Sequence, residues 1–143
     1  MVKVRFNYAD VSIIRIKDKA KIKAHVQTIF AEEGKSLALI NYIFCSDKYL
    51  LEINQSFLKH DFYTDIVTFD LSEKGEGVTG EIYISVDRVK ENAEVHNSTF
   101  LGEMLRVIFH GSLHLCGYKD KTKSEITIMR EKEDYYLRLF EQN

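Results

Sequence analysis

Residues 110–120 read HGSLHLCGYKD, with His110 and His114 four apart and Asp120 beyond a glycine. On a helix, positions four apart differ by about 40° in azimuth and about 6 Å along the axis, so both imidazoles reach the same point in space. Helical zinc sites use this arrangement. Gly117 can end such a helix in a left-handed conformation and turn the chain back. Asp120 then lies just past the turn, where its carboxylate can complete the set. Three protein ligands leave a fourth position for water, the layout of a catalytic rather than a structural zinc.

Histidines at this spacing also occur simply as solvated or hydrogen-bonded side chains, and an aspartate in GYKDKT is an ordinary turn residue. The setting here is apolar, with Val107, Ile108, Phe109, Leu113 and Leu115 around the pair. Imidazoles among such side chains need partners, because an unpaired buried polar group costs about 1–3 kcal/mol. A metal is one way to satisfy them. A zinc peptidase of the H-E-x-x-H type needs its general-base glutamate at position 111, where Gly111 stands, so that mechanism lacks its base. Two histidines and one carboxylate also serve iron–oxygen chemistry. Glu103, seven residues before His110 on the same helix face, is either an orienting partner for a metal ligand or a solvated charge.

These side chains must be placed by the rest of the chain. Val2–Tyr8 alternates as a half-buried strand. Ile22, Val26, Ile29 and Phe30 form a helical stripe that Gly34 ends. LALINYIFC reads as a second strand, and Ser46 caps a helix over Asp47–Phe57. Thr64–Leu71 and Glu81–Ser85 are two more strands, paired through the glycine-bearing SEKGEGVTG. The Glu81–Ser85 strand either lies at the sheet edge and lines a groove, or is an ordinary paired strand. Asp87 caps a short helix to Val95, and Ser98 or Thr99 caps the helix carrying the histidines. Thr122 and Glu125 form a capping-box pattern opening a last helix to about Phe140. The expectation is an α+β fold with a central mixed sheet of about four strands surrounded by helices. The metal site sits at the end of a central helix, in a single domain over residues 1–143.

Composition narrows the classes. The chain has 143 residues, 45% of them apolar and 29% charged, an ordinary globular mixture. Its net charge of −2, from 20 basic and 22 acidic side chains, neither supports nor excludes nucleic-acid binding. A basic footprint would have to be local, and Lys59, His60, Lys119, Lys121 and Lys123 can form one if residues 58–64 and 117–124 converge. Cys45 and Cys116 sit in apolar runs and are expected as buried free thiols. The N-terminal MVKVRFNYAD lacks the apolar stretch of a signal peptide, and no apolar run is long enough to span a bilayer. A cytoplasmic protein without a membrane partner is expected.

HGSLHLCGY resembles the H-G-x-L-H-L-x-G-Y-D-H signature of the YbeY family of bacterial metal-dependent endoribonucleases. Asn54 followed by TDIVTF (Thr64–Phe69) resembles the family's asparagine and T-D-V-L-S-F, and GEIYI (Gly80–Ile84) resembles its G-D-I-x-I. The resemblance implies an α+β fold, one bound zinc, and cleavage of single-stranded RNA in 16S rRNA maturation at the small ribosomal subunit. It carries the first two metal ligands to His110 and His114. The third histidine position is Asp120 here, which lowers the site's charge by one and makes manganese or iron more plausible beside zinc. Leu58 stands where the family commonly has an arginine thought to serve the nuclease, with Lys59 and His60 adjacent as replacements for its charge. Thr64 and Asp65 read by spacing as a turn opening a strand, and the resemblance implies a role in shaping the substrate cleft. Lys59, His60, Thr64 and Asp65 are therefore the expected substrate contacts. The alternative is a metal-stabilised ribosome- or RNA-binding factor that cleaves little or not at all.

Overall fold

The computed structural model describes residues 2–59 and 64–143. In chain order they form β1 (Val4–Tyr8), α1 (Lys19–Glu32), β2 (Leu37–Cys45), α2 (Asp47–Phe57), β3 (Ile66–Asp70), β4 (Val78–Ser85), α3 (Val86–Val95), α4 (Phe100–Leu115) and α5 (Lys123–Gln142). The strands make one sheet in the order β1-β2-β4-β3. β1 and β4 both run parallel to β2, while β3 pairs antiparallel with β4. The sheet is mixed, as expected. Parallel β1 and β2 need a long crossover, which α1 supplies.

Alternation along the strands separates two faces. Ile40, Tyr42 and Phe44 of β2 join Ile82 and Ile84 of β4 in the main core, together with residues of α1, α4 and α5. On the opposite face, Cys45 and Val67 pack with Leu50 of α2. Cover on both sides explains why LALINYIFC is nearly continuously apolar.

The histidine helix lies against the sheet at two glycines. A Cβ on Gly111 would come within 2.9 Å of Ile82 Cδ1 and 3.0 Å of Ile66 Cδ1. One on Gly80 would lie 2.6 Å from Leu115 Cδ1. A buried strand side chain then sets the rotation of α4. The Tyr42 hydroxyl donates to the Ile108 carbonyl at 3.1 Å and lies 2.5 Å from Ser112 Oγ, two residues either side of His110. Leaving that hydroxyl unpaired would cost about 1–3 kcal/mol, so the rotation is firmly held.

Several local expectations hold, one is corrected, and one open alternative is decided. Ser46 caps α2, Thr99 caps α4, and Thr122 and Glu125 form the capping box of α5. Cys45 and Cys116 are buried free thiols, and burial pushes both up to about 12. The cap of α3 is Ser85 rather than Asp87, because β4 runs straight into the helix and its last residue falls at the cap position. The Asp87 carboxylate instead accepts the Asp47 N–H at 2.9 Å, tying α3 to the start of α2. The Glu81–Ser85 strand is interior, part of β4 between β2 and β3; the edge beside the histidines is β3. Among the described residues, no helix is long and apolar enough to cross a membrane.

Candidate metal centre

Helix α4 ends in a hydrogen-bonded reversal. Gly117 takes φ 107°, the Tyr118 N–H donates to Leu113 O at 3.1 Å, and the Gly117 N–H donates to His114 O at 3.0 Å. This paired closure is a Schellman motif, and its left-handed position favours glycine. The reversal carries Asp120 back over the last helical turn. Its Oδ2 lies 3.2 Å from His110 Nε2 and 3.3 Å from His114 Nε2. The two imidazoles stand 4.5 Å apart, centroid to centroid, with planes crossed at 86°. One donor atom from each of the three residues lies within 4.8 Å of the others.

The donor set fits zinc. Tetrahedral bonds of about 2.0–2.1 Å put neighbouring ligand atoms about 3.4 Å apart, close to the observed carboxylate–imidazole separations. The far nitrogens are also engaged. His110 Nδ1 lies 2.5 Å from Glu133 Oε2, and His114 Nδ1 lies 2.9 Å from the Tyr118 carbonyl. Both partners are acceptors, so each Nδ1 carries its proton and each Nε2 can present a lone pair to a cation. Position 111 backs onto the sheet, with Ile82 and Ile66 at contact distance of any Cβ, so no general base can stand there.

Glu133 was not visible as a site residue from spacing. It is only 4% exposed and comes from α5, 23 residues beyond His110. Arg106 donates to Glu133 Oε1 at 2.8 Å and to Asp134 Oδ1 at 2.7 Å. Burial opposes the Glu133 charge, but the bonds from His110 and Arg106 outweigh it and hold the carboxyl below its usual range. Burial likewise opposes a charged His110, and Glu133 reverses that, raising the imidazole above its usual range. A signal existed in the sequence: Met129, Glu133, Tyr136 and Phe140 form the buried stripe of α5, and a glutamate on such a stripe requires a partner. Glu103 fits neither of its two alternatives, being buried rather than solvated and out of reach of His110. Seven residues place it about 10 Å along the axis from His110, too far for a bond. It pairs instead with His96, 3.6 Å from Nδ1 to Oε1.

The donors open into a cleft of about 680 Å³ between α4 and the β3 edge. Asn54, Leu58, Thr64 and Asp65 line it, as do the cationic Arg106, Lys121 and Arg130. Asp65 accepts from Asn92 Nδ2 at 3.4 Å, and burial raises its carboxyl although the charge of His110 pulls the other way. Lys59 is exposed, takes a left-handed φ of 57°, and does not line the cleft. His60 lies outside the described residues. Arg130, 58% exposed and 3.6 Å from Glu133 Oε1, was missed because a surface arginine on a helix has no distinguishing pattern.

The family model described as Endoribonuclease YbeY matches residues 6–141. An Endoribonuclease YbeY of Cytophaga hutchinsonii is 51% identical over 125 residues, 87% of each chain. That of Flavobacterium psychrophilum is 46% identical over 137 residues, 96% of each chain. The solution structure of a Thermotoga maritima protein aligns with TM-score 0.65 at 32% identity, covering 96% of this chain and 88% of that one. The match runs nearly end to end through the histidine helix, the glycine turn and the β3 edge, and the chain belongs to the Endoribonuclease YbeY family.

Proposed function

We propose that this chain is a metal-dependent endoribonuclease that cuts single-stranded RNA in 16S rRNA maturation, acting in the cytoplasm on the small ribosomal subunit as a single domain. The observation that carries the reading is the convergence of His110 Nε2, His114 Nε2 and Asp120 Oδ2 at the cleft, with both Nδ1 protons held from behind. Zinc suits this set, and the carboxylate also admits manganese or iron. The chemistry a bound divalent ion supplies there is polarisation of a phosphoryl oxygen and activation of water.

The chain's own residues do the rest. Glu133 and the Tyr118 carbonyl keep the imidazoles aimed and in one tautomer. Ile66, Val107 and Leu115 are among the apolar residues of the cleft wall, which limit water around the reacting phosphate. Thr64 and Asp65 offer polar atoms to the ribose, while Lys121 and Arg130 meet phosphates. Lys59 serves a phosphate farther along the strand. Replacing Lys121 or Arg130 with alanine is expected to weaken RNA binding and lower the salt dependence by about one unit of log–log slope each. Zinc affinity should stay unchanged, as titrations at several salt concentrations will show.

The direct test is a labelled single-stranded RNA and its duplex, incubated with protein stripped by chelator and resupplied with zinc, manganese or iron. Internal cleavage of the single strand that returns with a metal is the expected result. Binding without cleavage under every metal would favour the RNA-binding factor instead, a reading supported by the apolar Leu58 in the cleft wall.

A further inference from the structure

Glu33 follows α1, an element that does not line the cleft, yet its carboxylate is gripped from two sides. Oε1 accepts the Tyr118 hydroxyl at 2.6 Å. Oε2 accepts the Tyr136 hydroxyl at 2.5 Å and Lys132 Nζ at 3.2 Å. The side chain is only 11% exposed. Each grip leads to the metal donors by a short path. The Tyr118 carbonyl accepts a hydrogen bond from His114 Nδ1 at 2.9 Å, and Tyr118 stands inside the reversal that returns Asp120. Lys132 immediately precedes Glu133, which holds His110.

We propose that Glu33 is a positioning residue for the metal centre: by clamping Tyr118 to α5 it holds the 117–120 turn, so that His114 keeps its proton on Nδ1 and Asp120 stays in line with both imidazoles. The inference rests on the metal reading above and deepens it. A carboxylate suits the task because it accepts on both oxygens at once. Glutamine offers one acceptor only. Lys132 and Tyr136 both donate toward the Oε2 side, so the amide of a glutamine turns toward Tyr118 and meets its hydroxyl only as a neutral donor, a weaker hold on the turn than the charged carboxylate.

The test uses Glu33→Gln and Tyr118→Phe, each of which leaves the backbone carbonyl of residue 118 in place. The control is Tyr135→Phe, which removes an exposed hydroxyl bonded to Glu32 Oε1 at 2.9 Å. Nitrogen-15 spectra of the metal-free proteins at about pH 8, above the ordinary imidazole range, report the His114 tautomer. Zinc affinity is read by competition with a chromophoric chelator. The wild type and the control should show the same tautomer ratio, with the Nδ1–H form that Tyr118 O holds predominating over the Nε2–H form that Asp120 favours. Both test variants should shift that ratio toward Nε2–H and bind zinc about tenfold more weakly. A lowered melting temperature with tautomer and zinc affinity unchanged would make Glu33 a packing tie only and overturn the proposal. If the wild type itself takes up no zinc, the metal reading fails, and the tautomer spectra still decide whether Glu33 governs His114.

Discussion

His114→Ala is expected to abolish metal-dependent RNA cleavage and to raise the zinc dissociation constant about a thousandfold, ~4 kcal/mol at about 1.4 kcal/mol per decade. Two donors would remain, His110 Nε2 and Asp120 Oδ2, 3.2 Å apart. No other histidine, cysteine or acidic side chain completes a metal-holding group with them among the described residues. The fold should survive the change. The His114 side chain is partly exposed, and the turn it precedes is closed by backbone bonds from Gly117 and Tyr118. Melting of the chelator-treated variant should therefore stay within about 1 kcal/mol of the wild type. Calorimetric zinc titration and an RNA cleavage assay on the same preparation check both halves. Wild-type affinity in a folded His114→Ala protein would sink the assigned ligand set.

Glu133→Gln is expected to have the next largest effect, through two separate losses. The imidazole of His110 loses a charged acceptor behind its Nδ1–H, which should weaken zinc binding about 10–100-fold. Arg106 loses one of two carboxylate partners and keeps Asp134, at a cost of about 1–3 kcal/mol. The pH dependence carries a signature. Glu133 titrates below its unfolded value, so its contribution is present above about pH 4.3 and disappears as pH falls through the lowered folded value. His110 titrates above its unfolded value, so its contribution is complete below about pH 6.5 and disappears as pH rises through the raised folded value. The metal-free pair therefore stabilises most between about pH 4.3 and 6.5. Thermal melts in chelator across this range should show a maximum in the wild type and a flattened profile in Glu133→Gln. An unaltered profile would mean that the short His110–Glu133 contact contributes nothing.

The two variants differ in their distance from the motif along the chain. His114 is in the motif; Glu133 is 23 residues beyond His110, yet both act on one point in the cleft. The same contrast separates the fold features. Side-chain helix caps other than that of α3 were legible because they depend on residues within one turn of each other, as at Ser46, Thr99 and Thr122. The edge position of β3 was not legible. Strand order depends on which apolar faces meet, and both EIYIS and TDIVTF are strong strand sequences.

The sequence by itself determined which three side chains form a group able to hold a metal. The histidine spacing is fixed by the helical repeat, and Gly117 allows the left-handed bend that returns Asp120. It also determined the α+β class, because periodicities of two and 3.6 residues are local properties of the chain. Only the tertiary structure decided which carboxylate stands behind His110. Glu103 and Glu133 are both acidic residues on buried helix stripes, and the docking of α5 beside α4 brought Glu133 to 2.5 Å while helical rise left Glu103 with His96. Docking also decided that Tyr118, Glu33 and Lys132 meet. Contacts between elements far apart in the chain are selected by packing of the whole core, which no short window of residues contains.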